Sequence, residues 1–366
     1  MLLPRNRRII DREAIQHNME VIRAEVPASA KLLAVVKADG YGHGAEEVSR
    51  AAIAGGADML AVASVAEGVR LRNAGFDRVP ILVLGAVTAG DVREGVEAGL
   101  IQTVCSPEMV ELCRKAAEET GLTAEAHLKV DTGMSRIGVR NEEERDAVLA
   151  ALEKTGAVKL TGAFTHFCDA DGDEDGMAFT EEQFRRFLKL TDGMKVLRHC
   201  ANSAAIHRRK DMALDMVRAG ISLYGYPPVE TGMKLKPCMR WTAKVSYIKE
   251  LPAGEYISYG RTYRTDKPTR VATVTCGYAD GYHRSAGPQA EVLIHGKRAK
   301  VLGRICMDQM MADITDIEDV KPEDEVTLMG TDGSESVTAE DIARWAGTIS
   351  YEILLSVGSR VERIYR

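Results

Sequence analysis

Lys37 is the residue of this chain best placed for covalent chemistry, because it directly follows the apolar run LLAVV and precedes ADGYGHGA. Burial of an ammonium group alone is costly, so a lysine at the edge of a buried strand tends to lose its proton. The neutral amine is the form that attacks a carbonyl carbon, as in Schiff-base chemistry. A lysine whose ammonium group reaches solvent at the rim of the fold explains the same position at least as well.

Other polar or reactive residues also stand at or just beyond the ends of apolar runs. They are Lys129, Arg136, His166, Asn202, Ser203, Arg218, Gly220 and Ile221. A buried guanidinium must meet hydrogen-bond acceptors, so Arg218 in VRAG is hard to explain as an ordinary core residue. His166 in FTHF fits a catalytic role and a satisfied core histidine about equally.

Two short segments could hold a phosphate group. Asn202 and Ser203 in HCANSAA, with Gly220 and Ile221 in RAGIS, combine a hydroxyl with backbone N–H groups that can cradle an anion. Helix capping explains Asn202 and Ser203 equally well.

Two further motifs give weaker signals. Gly40, Gly42 and Gly44 form G-x-G-x-G, in which the third glycine comes one residue too early for the dinucleotide fingerprint G-x-G-x-x-G. The run Asp171–Glu182 matches the calcium-loop pattern D-x-D-x-D-G-x5-E, but a strand rather than a helix is expected before it. A solvated loop or a helix N-terminus is the better interpretation of that run.

The elements that must position these residues alternate between strand and helix. Eight short β-rich runs lie between about residues 31 and 225: KLLAVVK, DMLAVAS, VPILVLG, IQTVCS, AEAHLKV, KLTGAFTHF, MKVLRHC and DMVRAGISLYG. Amphipathic segments separate them, and a helix over DREAIQHNMEVIRAE precedes them. This α/β pattern predicts a (β/α)8 TIM-type barrel, whose functional residues lie at the C-terminal ends of its strands.

After the linker GYPPVETGMKLKP the periodicity changes to two, which predicts a C-terminal, mostly-β domain. We assign residues 11–230 to the barrel and residues 231–366 to the β domain, joined by the N-terminal segment 1–10. Only TAEDIARWAG is predicted to be helical in this domain, and SRVERIY is predicted to be its last strand.

Composition narrows the class of partner. The chain has 366 residues, 45% of them hydrophobic, and a formal net charge of −6, which offers no basic surface for nucleic acid or an anionic membrane. The N-terminus shows no signal-peptide core, and no apolar run approaches the roughly 18 residues of a membrane helix. Seven scattered cysteines are typical of reduced thiols. We expect a cytoplasmic protein that acts on a small molecule, with no metal.

These segments together resemble the alanine racemase family over nearly the whole chain. The matching motifs are AVVKADGYGHGA, HLKVDTGMSRIGV, HCANSAA, VRAGISLYG, ISYGRTY, CGYADGYHR, GRICMDQMM and SYEILL. The resemblance implies a pyridoxal 5′-phosphate enzyme that converts L-alanine to D-alanine for peptidoglycan. It also implies a homodimer in which Tyr259 enters the active site of the partner.

The resemblance implies a role for each motif residue. Lys37 would carry the cofactor and serve one face of the substrate's α-carbon, and Tyr259 would serve the other. The cofactor would also contact Tyr41, Arg136, His166, Asn202, Ser203, Arg218, Gly220, Ile221 and Tyr351. Arg136, Met307 and Tyr278 would contact the substrate, and Lys129 is a candidate for carbamylation.

Within this mechanism, the resemblance places Arg218 opposite the pyridine nitrogen. A guanidinium keeps its own proton, so the nitrogen should stay unprotonated and the electron sink should be weakened. His166 would link Arg218 to Tyr259. Three alternatives stay open: a racemase for serine or for several amino acids, a related barrel decarboxylase, and a non-catalytic cofactor-binding protein.

Overall fold

The computed structural model describes residues 5–86 and 88–366, which form two compact units. The barrel unit comprises Glu13–Gly40 and Gly44–Lys236. The β unit comprises the described part of Met1–Arg12 together with Tyr41–His43 and Pro237–Arg366. The boundary that the sequence suggests, at residues 230 and 231, stays a prediction.

Strand β1 (Arg7–Ile10) belongs to the β unit. The next eight strands belong to the barrel unit: β2 (Lys31–Val35), β3 (Met59–Val62), β4 (Ile81–Val83), β5 (Gln102–Val104), β6 (Ala124–Lys129), β7 (Val158–Phe164), β8 (Leu197–His199) and β9 (Met216–Ala219). Each of the eight segments that the sequence predicts as a barrel strand overlaps one of these strands.

The eight strands close into a ring. Two parallel sheets have the orders β4-β3-β2-β9 and β5-β6-β7-β8. At one seam the Ile101 N–H donates to the Ile81 carbonyl at 2.9 Å, and at the other the Arg218 N–H donates to the Ala201 carbonyl at 3.0 Å. The predicted (β/α)8 barrel is therefore confirmed.

Helices follow the strands, as crossover connections between parallel strands require. They are α1 (Arg12–Glu25), α2 (Ala45–Ala54), α3 (Val65–Asn73), α4 (Val92–Glu97), α5 (Pro107–Thr120), α6 (Glu142–Glu153), α7 (Glu174–Leu190) and α8 (Ser203–Arg208). Across the described ranges, no helix is both long enough and apolar enough to span a membrane.

The acidic segment at residues 171–182 starts helix α7. The Asp173 side chain is the N-cap and accepts a hydrogen bond from the Gly176 N–H at 3.2 Å. The part of the chain that the structure describes contains no group of three or more His, Cys, Asp or Glu residues that could hold a metal ion. The segment therefore has the structure of a capped helix start rather than of an EF-hand.

The β unit contains ten further strands and two helices. The strands are β10 (Met239–Leu251), β11 (Tyr256–Ile257), β12 (Tyr263–Arg264), β13 (Thr269–Val274), β14 (Glu291–Ile294), β15 (Lys297–Lys300), β16 (Met310–Asp313), β17 (Glu325–Asp332), β18 (Glu335–Val337) and β19 (Glu362–Tyr365). The helices are α9 (Ala339–Ala346) and α10 (Ser350–Ser356). The sequence predicts α9 and misses α10, which is too short to show a clear helical period.

The main sheet of the β unit has the order β15-β14-β17-β10-β1-β19. The short N-terminal strand β1 lies in this sheet, antiparallel to β10 and parallel to β19. Arg7 pairs with Thr242 on one side and with Glu362 on the other. The two ends of the described chain are thus neighbours in one sheet.

The interior of the barrel provides a test of its packing. A Cβ added at Gly162 of β7 would lie 2.5 Å from the His127 ring of β6. We expect Gly162→Ala to lower the free energy of unfolding by about 1–3 kcal/mol, because overpacking a dense core forces neighbours apart. Urea denaturation measures the change.

Gly156→Ala is the matched control, because a Cβ there meets no atom within 4 Å. We expect its stability to be close to that of the parent. Equal stability of both variants would show that the His127 ring does not fill the space beside Gly162.

Candidate active site

Lys37 begins a turn whose backbone is left-handed. The φ and ψ angles are 51° and 50° at Ala38, 53° and 47° at Asp39, and 61° and 46° at Gly40. Residues other than glycine adopt this region at a cost of about 1–2 kcal/mol each, so surrounding contacts must hold the turn. The Ala45 N–H donates to Asp39 Oδ1 at 3.0 Å. The sequence predicts a connection here but not its handedness.

Glu67, at the start of helix α3, provides a second contact to this turn. Its Oε1 accepts a hydrogen bond from the Ala38 N–H at 2.8 Å, and its Oε2 accepts one from the Ala63 N–H at 2.7 Å. Burial and the Arg136 guanidinium lower the pKa of Lys37, while the Glu67 carboxylate opposes that shift. Lys37 is therefore a lysine whose neutral amine is favoured.

Lys129 lies at the end of β6 and is buried. Its Nζ donates to the Val130 carbonyl at 2.9 Å and lies 5.4 Å from the centroid of the Phe164 ring. Burial is the largest cause, with Arg218 adding to it, of a pKa lowered to about 7. A substantial fraction of Lys129 is therefore an uncharged amine at neutral pH.

Arg136 lies in the loop that follows β6, and its side chain is exposed. The loop is compact because Asp131 Oδ1 accepts hydrogen bonds from the Gly133 and Ser135 N–H groups, both at 3.0 Å. The Val139 N–H closes the loop by donating to the Lys129 carbonyl at 3.0 Å. Arg136 thus stands on a loop whose base is tied to Lys129.

Arg218 is buried inside the barrel among neutral acceptors. Its Nη2 donates to the Thr165 carbonyl at 2.8 Å and the Cys200 carbonyl at 3.0 Å, and its Nη1 donates to the His199 carbonyl at 3.1 Å. Burial lowers its pKa to about 10. The guanidinium accordingly stays protonated at neutral pH.

The hydrogen bonds of Arg218 decide where the protons of three histidines lie. Arg218 donates to Nδ1 of His199 at 3.1 Å and to Nδ1 of His166 at 3.3 Å. A guanidinium only donates, so both rings carry their proton on Nε2. The His199 Nε2–H then donates to Nδ1 of His127 at 3.0 Å. His166 keeps an N–H available for a further acceptor.

The two predicted phosphate segments lie together. The Ser203 hydroxyl oxygen accepts a hydrogen bond from the Gly220 N–H at 3.0 Å, which ties the start of α8 to the end of β9. The Asn202 side chain caps α8 by accepting from the Ala205 N–H at 3.1 Å. The capping interpretation therefore holds for Asn202, while its contact with a phosphate stays a prediction.

The charges of the barrel unit indicate what kind of ligand it suits. Within residues 5–86 and 88–366, none of Lys37, Lys129, Arg136 and Arg218 forms an ion pair with a carboxylate. Basic groups that form no ion pair favour an anionic ligand, even though the Glu67 carboxylate lies within electrostatic reach of Lys37. Pyridoxal 5′-phosphate fits, since it brings a phosphate, a phenolic oxygen and a carbonyl carbon for the lysine.

The remaining predicted residues belong to the β unit. The rings of Tyr41 and Tyr351 lie with their centroids 6.0 Å apart, and burial raises the pKa of Tyr41. Tyr259 lies in the loop between β11 and β12, and its side chain is 67% exposed. The preceding residue, Ser258, has φ 66° and ψ −176°, a conformation rare outside glycine.

Tyr278 and Met307 are also exposed and lie on two loops that are tied together. The Tyr278 N–H donates to the Cys306 carbonyl at 3.1 Å. A Cβ at Gly277 would lie 2.4 Å from the Cys306 and Met307 carbonyl oxygens, so only glycine allows this approach. The two loops therefore present Tyr278 and Met307 as one surface.

Sequence reasoning missed Glu67, His199 and His127. Glu67 ends the pattern S-x-x-E over residues 64–67, which signals a capped helix start and could have been found. The two histidines lie on β6 and β8, and their ring-to-ring contact depends on the order of strands around the barrel.

A closed parallel barrel with a lysine after its first strand and further basic residues at or beyond the ends of other strands is typical of a barrel-type pyridoxal-phosphate enzyme. Residues 10–228 match the family description "Alanine racemase, N-terminal domain", and residues 238–365 match "Alanine racemase, C-terminal domain". The chain belongs to the alanine racemase family. It is an amino-acid racemase, an isomerase that uses pyridoxal 5′-phosphate.

Individual relatives match over nearly their full length. An alanine racemase of Desulforamulus reducens is 42% identical over 366 residues, which cover 97% of each chain. One of Methanococcus maripaludis is 40% identical, again with 97% of each chain covered. The solved structure of alanine racemase from Bacillus anthracis with bound L-Ala-P superposes with a TM-score of 0.92 at 35% identity, covering 100% of this chain and 96% of that one.

The hydrogen bonds of His166 lead to a test. Burial and the cations Arg218, Arg136, Lys129 and Lys37 hold its pKa well below 6.5, so the ring should stay neutral as the pH falls. We expect its NMR signals to show no protonation step between about pH 8 and about pH 5. The variant His166→Asn identifies the His166 signals, because they are missing from its spectrum. A protonation step near the ordinary histidine pKa would contradict the assignment of the His166 proton to Nε2.

Proposed function

We propose that the chain interconverts L-alanine and D-alanine, with Lys37 serving one face of the α-carbon and Tyr259 of the partner subunit serving the other. The observation that carries the proposal is the position of Lys37, which begins a left-handed turn, has a lowered pKa and lies within electrostatic reach of the Arg136 guanidinium. The names of the full-length relatives support alanine as the substrate.

Lys37 is suited to hold a proton and release it. Its lowered pKa makes the neutral amine more accessible than in an ordinary lysine, which suits Lys37 to take a proton from carbon or return one. When bound, pyridoxal phosphate withdraws electrons from the α-carbon of the amino acid and so makes that proton removable. A second group on the opposite face is required, since one base alone returns the proton to the side from which it came.

Arg218 and His166 support this arrangement from the barrel interior. Arg218 keeps its proton at neutral pH, so toward the pyridine nitrogen it can only donate. Such a contact would leave the nitrogen unprotonated and would moderate the electron withdrawal. His166 receives a hydrogen bond from Arg218 and keeps its Nε2–H, which would stabilise a deprotonated phenol at Tyr259 of the partner subunit.

The remaining roles stay predictions. Tyr41, Tyr351, Asn202, Ser203, Gly220 and Ile221 are proposed phosphate contacts, and Arg136, Met307 and Tyr278 are proposed substrate contacts. The pKa of about 7 at Lys129 supports carbamylation, because carbon dioxide reacts with the neutral amine and the resulting anion would face Arg218 and Arg136. The homodimer, the cytoplasmic location and the supply of D-alanine for peptidoglycan also stay predictions.

The first test is racemisation of L-alanine by the purified, cofactor-loaded protein. We expect Lys37→Ala and Tyr259→Phe each to lower kcat by about 10²–10⁴-fold, the usual size of a general acid–base contribution. Loss of optical rotation measures the rate, and L-serine is the comparison substrate. Faster turnover of L-serine than of L-alanine would replace the proposed substrate, and full activity of Lys37→Ala would overturn the mechanism.

The second test asks which subunit supplies Tyr259. Lys37→Ala and Tyr259→Phe chains are mixed, unfolded and refolded together so that hybrid dimers form. If Tyr259 serves the partner's site, one site of each hybrid dimer is intact and activity recovers to about a quarter of the parent value. The same variants refolded separately are the control. No recovery in a mixture that contains hybrid dimers would place Tyr259 in the site of its own chain.

A further inference from the structure

We propose that Glu67 is a positioning residue for Lys37. Its carboxylate ties the left-handed turn at Lys37 to the start of helix α3 and places a negative charge beside the lysine. The proposal rests on the proposed function only in giving Lys37 a catalytic role. The contacts of Glu67 are present whether or not the protein is a racemase.

The geometry gives Glu67 two separate roles. Through Oε2 it accepts from the Ala63 N–H at 2.7 Å, which satisfies a backbone donor at the start of α3. Through Oε1 it reaches the preceding strand connection and accepts from the Ala38 N–H at 2.8 Å. Ala38 is the first left-handed residue after Lys37, with φ 51°. A charge-assisted hydrogen bond at that point stabilises a backbone that is otherwise unfavourable.

Helix α6 contains the same cap without the second role. Glu144 accepts from the Arg140 N–H through Oε2 at 2.8 Å, as Glu67 does from Ala63. Its Oε1 accepts from the Asn141 side chain at 3.1 Å, within its own helix start. Glu144 is therefore a matched control in which the cap is equivalent and the contact to the lysine turn is missing.

The charged groups around Lys37 shift its pKa in opposite directions. Glu67 faces it from α3, and Arg136 faces it from the loop after β6. His166, which follows β7, is also within electrostatic reach of Lys37 and is neutral. Glu67 is thus the anionic group that limits how far burial and Arg136 favour the neutral amine.

Glu67→Gln changes both effects while keeping the side chain's size. An amide has one carbonyl oxygen and one NH₂ group, so in the position of the carboxylate its NH₂ group would face either the Ala38 or the Ala63 N–H and that hydrogen bond would be lost. The substitution also removes the negative charge. Glu67→Asp is the second variant, because it keeps the charge but shortens the side chain by one methylene group.

Amide hydrogen exchange of the full-length, cofactor-loaded protein measures the geometric effect. We expect the amide of Ala38 or Ala63 to exchange about 10-fold faster in Glu67→Gln, with faster exchange through residues 38–44 as the turn loosens. Glu144→Gln should speed exchange at Arg140 and leave residues 38–44 unchanged. Equal effects of the two substitutions on residues 38–44, or no effect of either, would overturn the proposal.

Amine labelling measures the electrostatic effect without any assay of catalysis. The full chain is stripped of cofactor with hydroxylamine, labelled with trinitrobenzenesulfonate over a range of pH, and analysed at the Lys37 peptide by mass spectrometry. Loss of the Glu67 charge should move the midpoint of labelling to lower pH, by on the order of one unit, and Glu67→Asp should move it less. An unchanged midpoint in Glu67→Gln would overturn the electrostatic part.

The two proposals fail in different ways. If the parent chain racemises no amino acid but Glu67→Gln still alters exchange and labelling at the turn, the proposed function is wrong and the positioning of Lys37 by Glu67 stands. If the parent is an active racemase and Glu67→Gln changes neither readout, the function stands and the positioning role is wrong.

Discussion

The arrangement of the barrel unit depends on one buried guanidinium that has no carboxylate partner in the described part of the chain. Arg218 is satisfied by the carbonyl oxygens of Thr165, His199 and Cys200, which lie at the C-terminal ends of β7 and β8. The Thr165 and Cys200 carbonyls lie just beyond the ends of β7 and β8, and the His199 carbonyl also accepts a hydrogen bond from the Thr165 N–H at 3.3 Å. A buried charge that loses its acceptors costs about 3–5 kcal/mol, so the strand ends and Arg218 hold one another in place.

The protonation states of the neighbouring groups follow from that charge. A cation that only donates fixes the tautomers of His166 and His199, and through His199 that of His127. Burial is the main reason why Lys129 has a pKa of about 7, and the Arg218 charge adds to it. An anionic ligand therefore complements Arg218 and its basic neighbours, because none of them forms an ion pair with a carboxylate in the described part of the chain.

Sequence patterns were sufficient for the barrel and for the candidate residues at its strand ends. Apolar runs of strand length, separated by amphipathic segments, predict each of the eight strands, and Lys37 follows the first of them. The left-handed turn could not be predicted in the same way, since Ala38 disfavours positive φ and Asp39 adopts it only occasionally.

Contacts between residues that are distant in the sequence could not be predicted either. The S-x-x-E pattern at residues 64–67 reveals a helix cap, but the bond from Ala38 to Glu67 joins two connections that meet only in the folded barrel. Helix α10 was missed because seven residues are too few to show a period. Sequence patterns therefore predicted the type of most elements, but not the left-handed backbone or the contacts between residues that are distant in the sequence.

The place of β1 in the β unit has a consequence for synthesis on the ribosome. Arg7 pairs with Thr242 and Glu362, so β1 cannot complete its pairing until β10 and then β19 have been translated. The chain of the barrel unit ends just before β10 and can fold while β19 is still to be translated. Until β10 has been translated, β1, with the sequence RRII, has no strand partner. Its two arginines disfavour its addition to the sheet edge of another nascent chain.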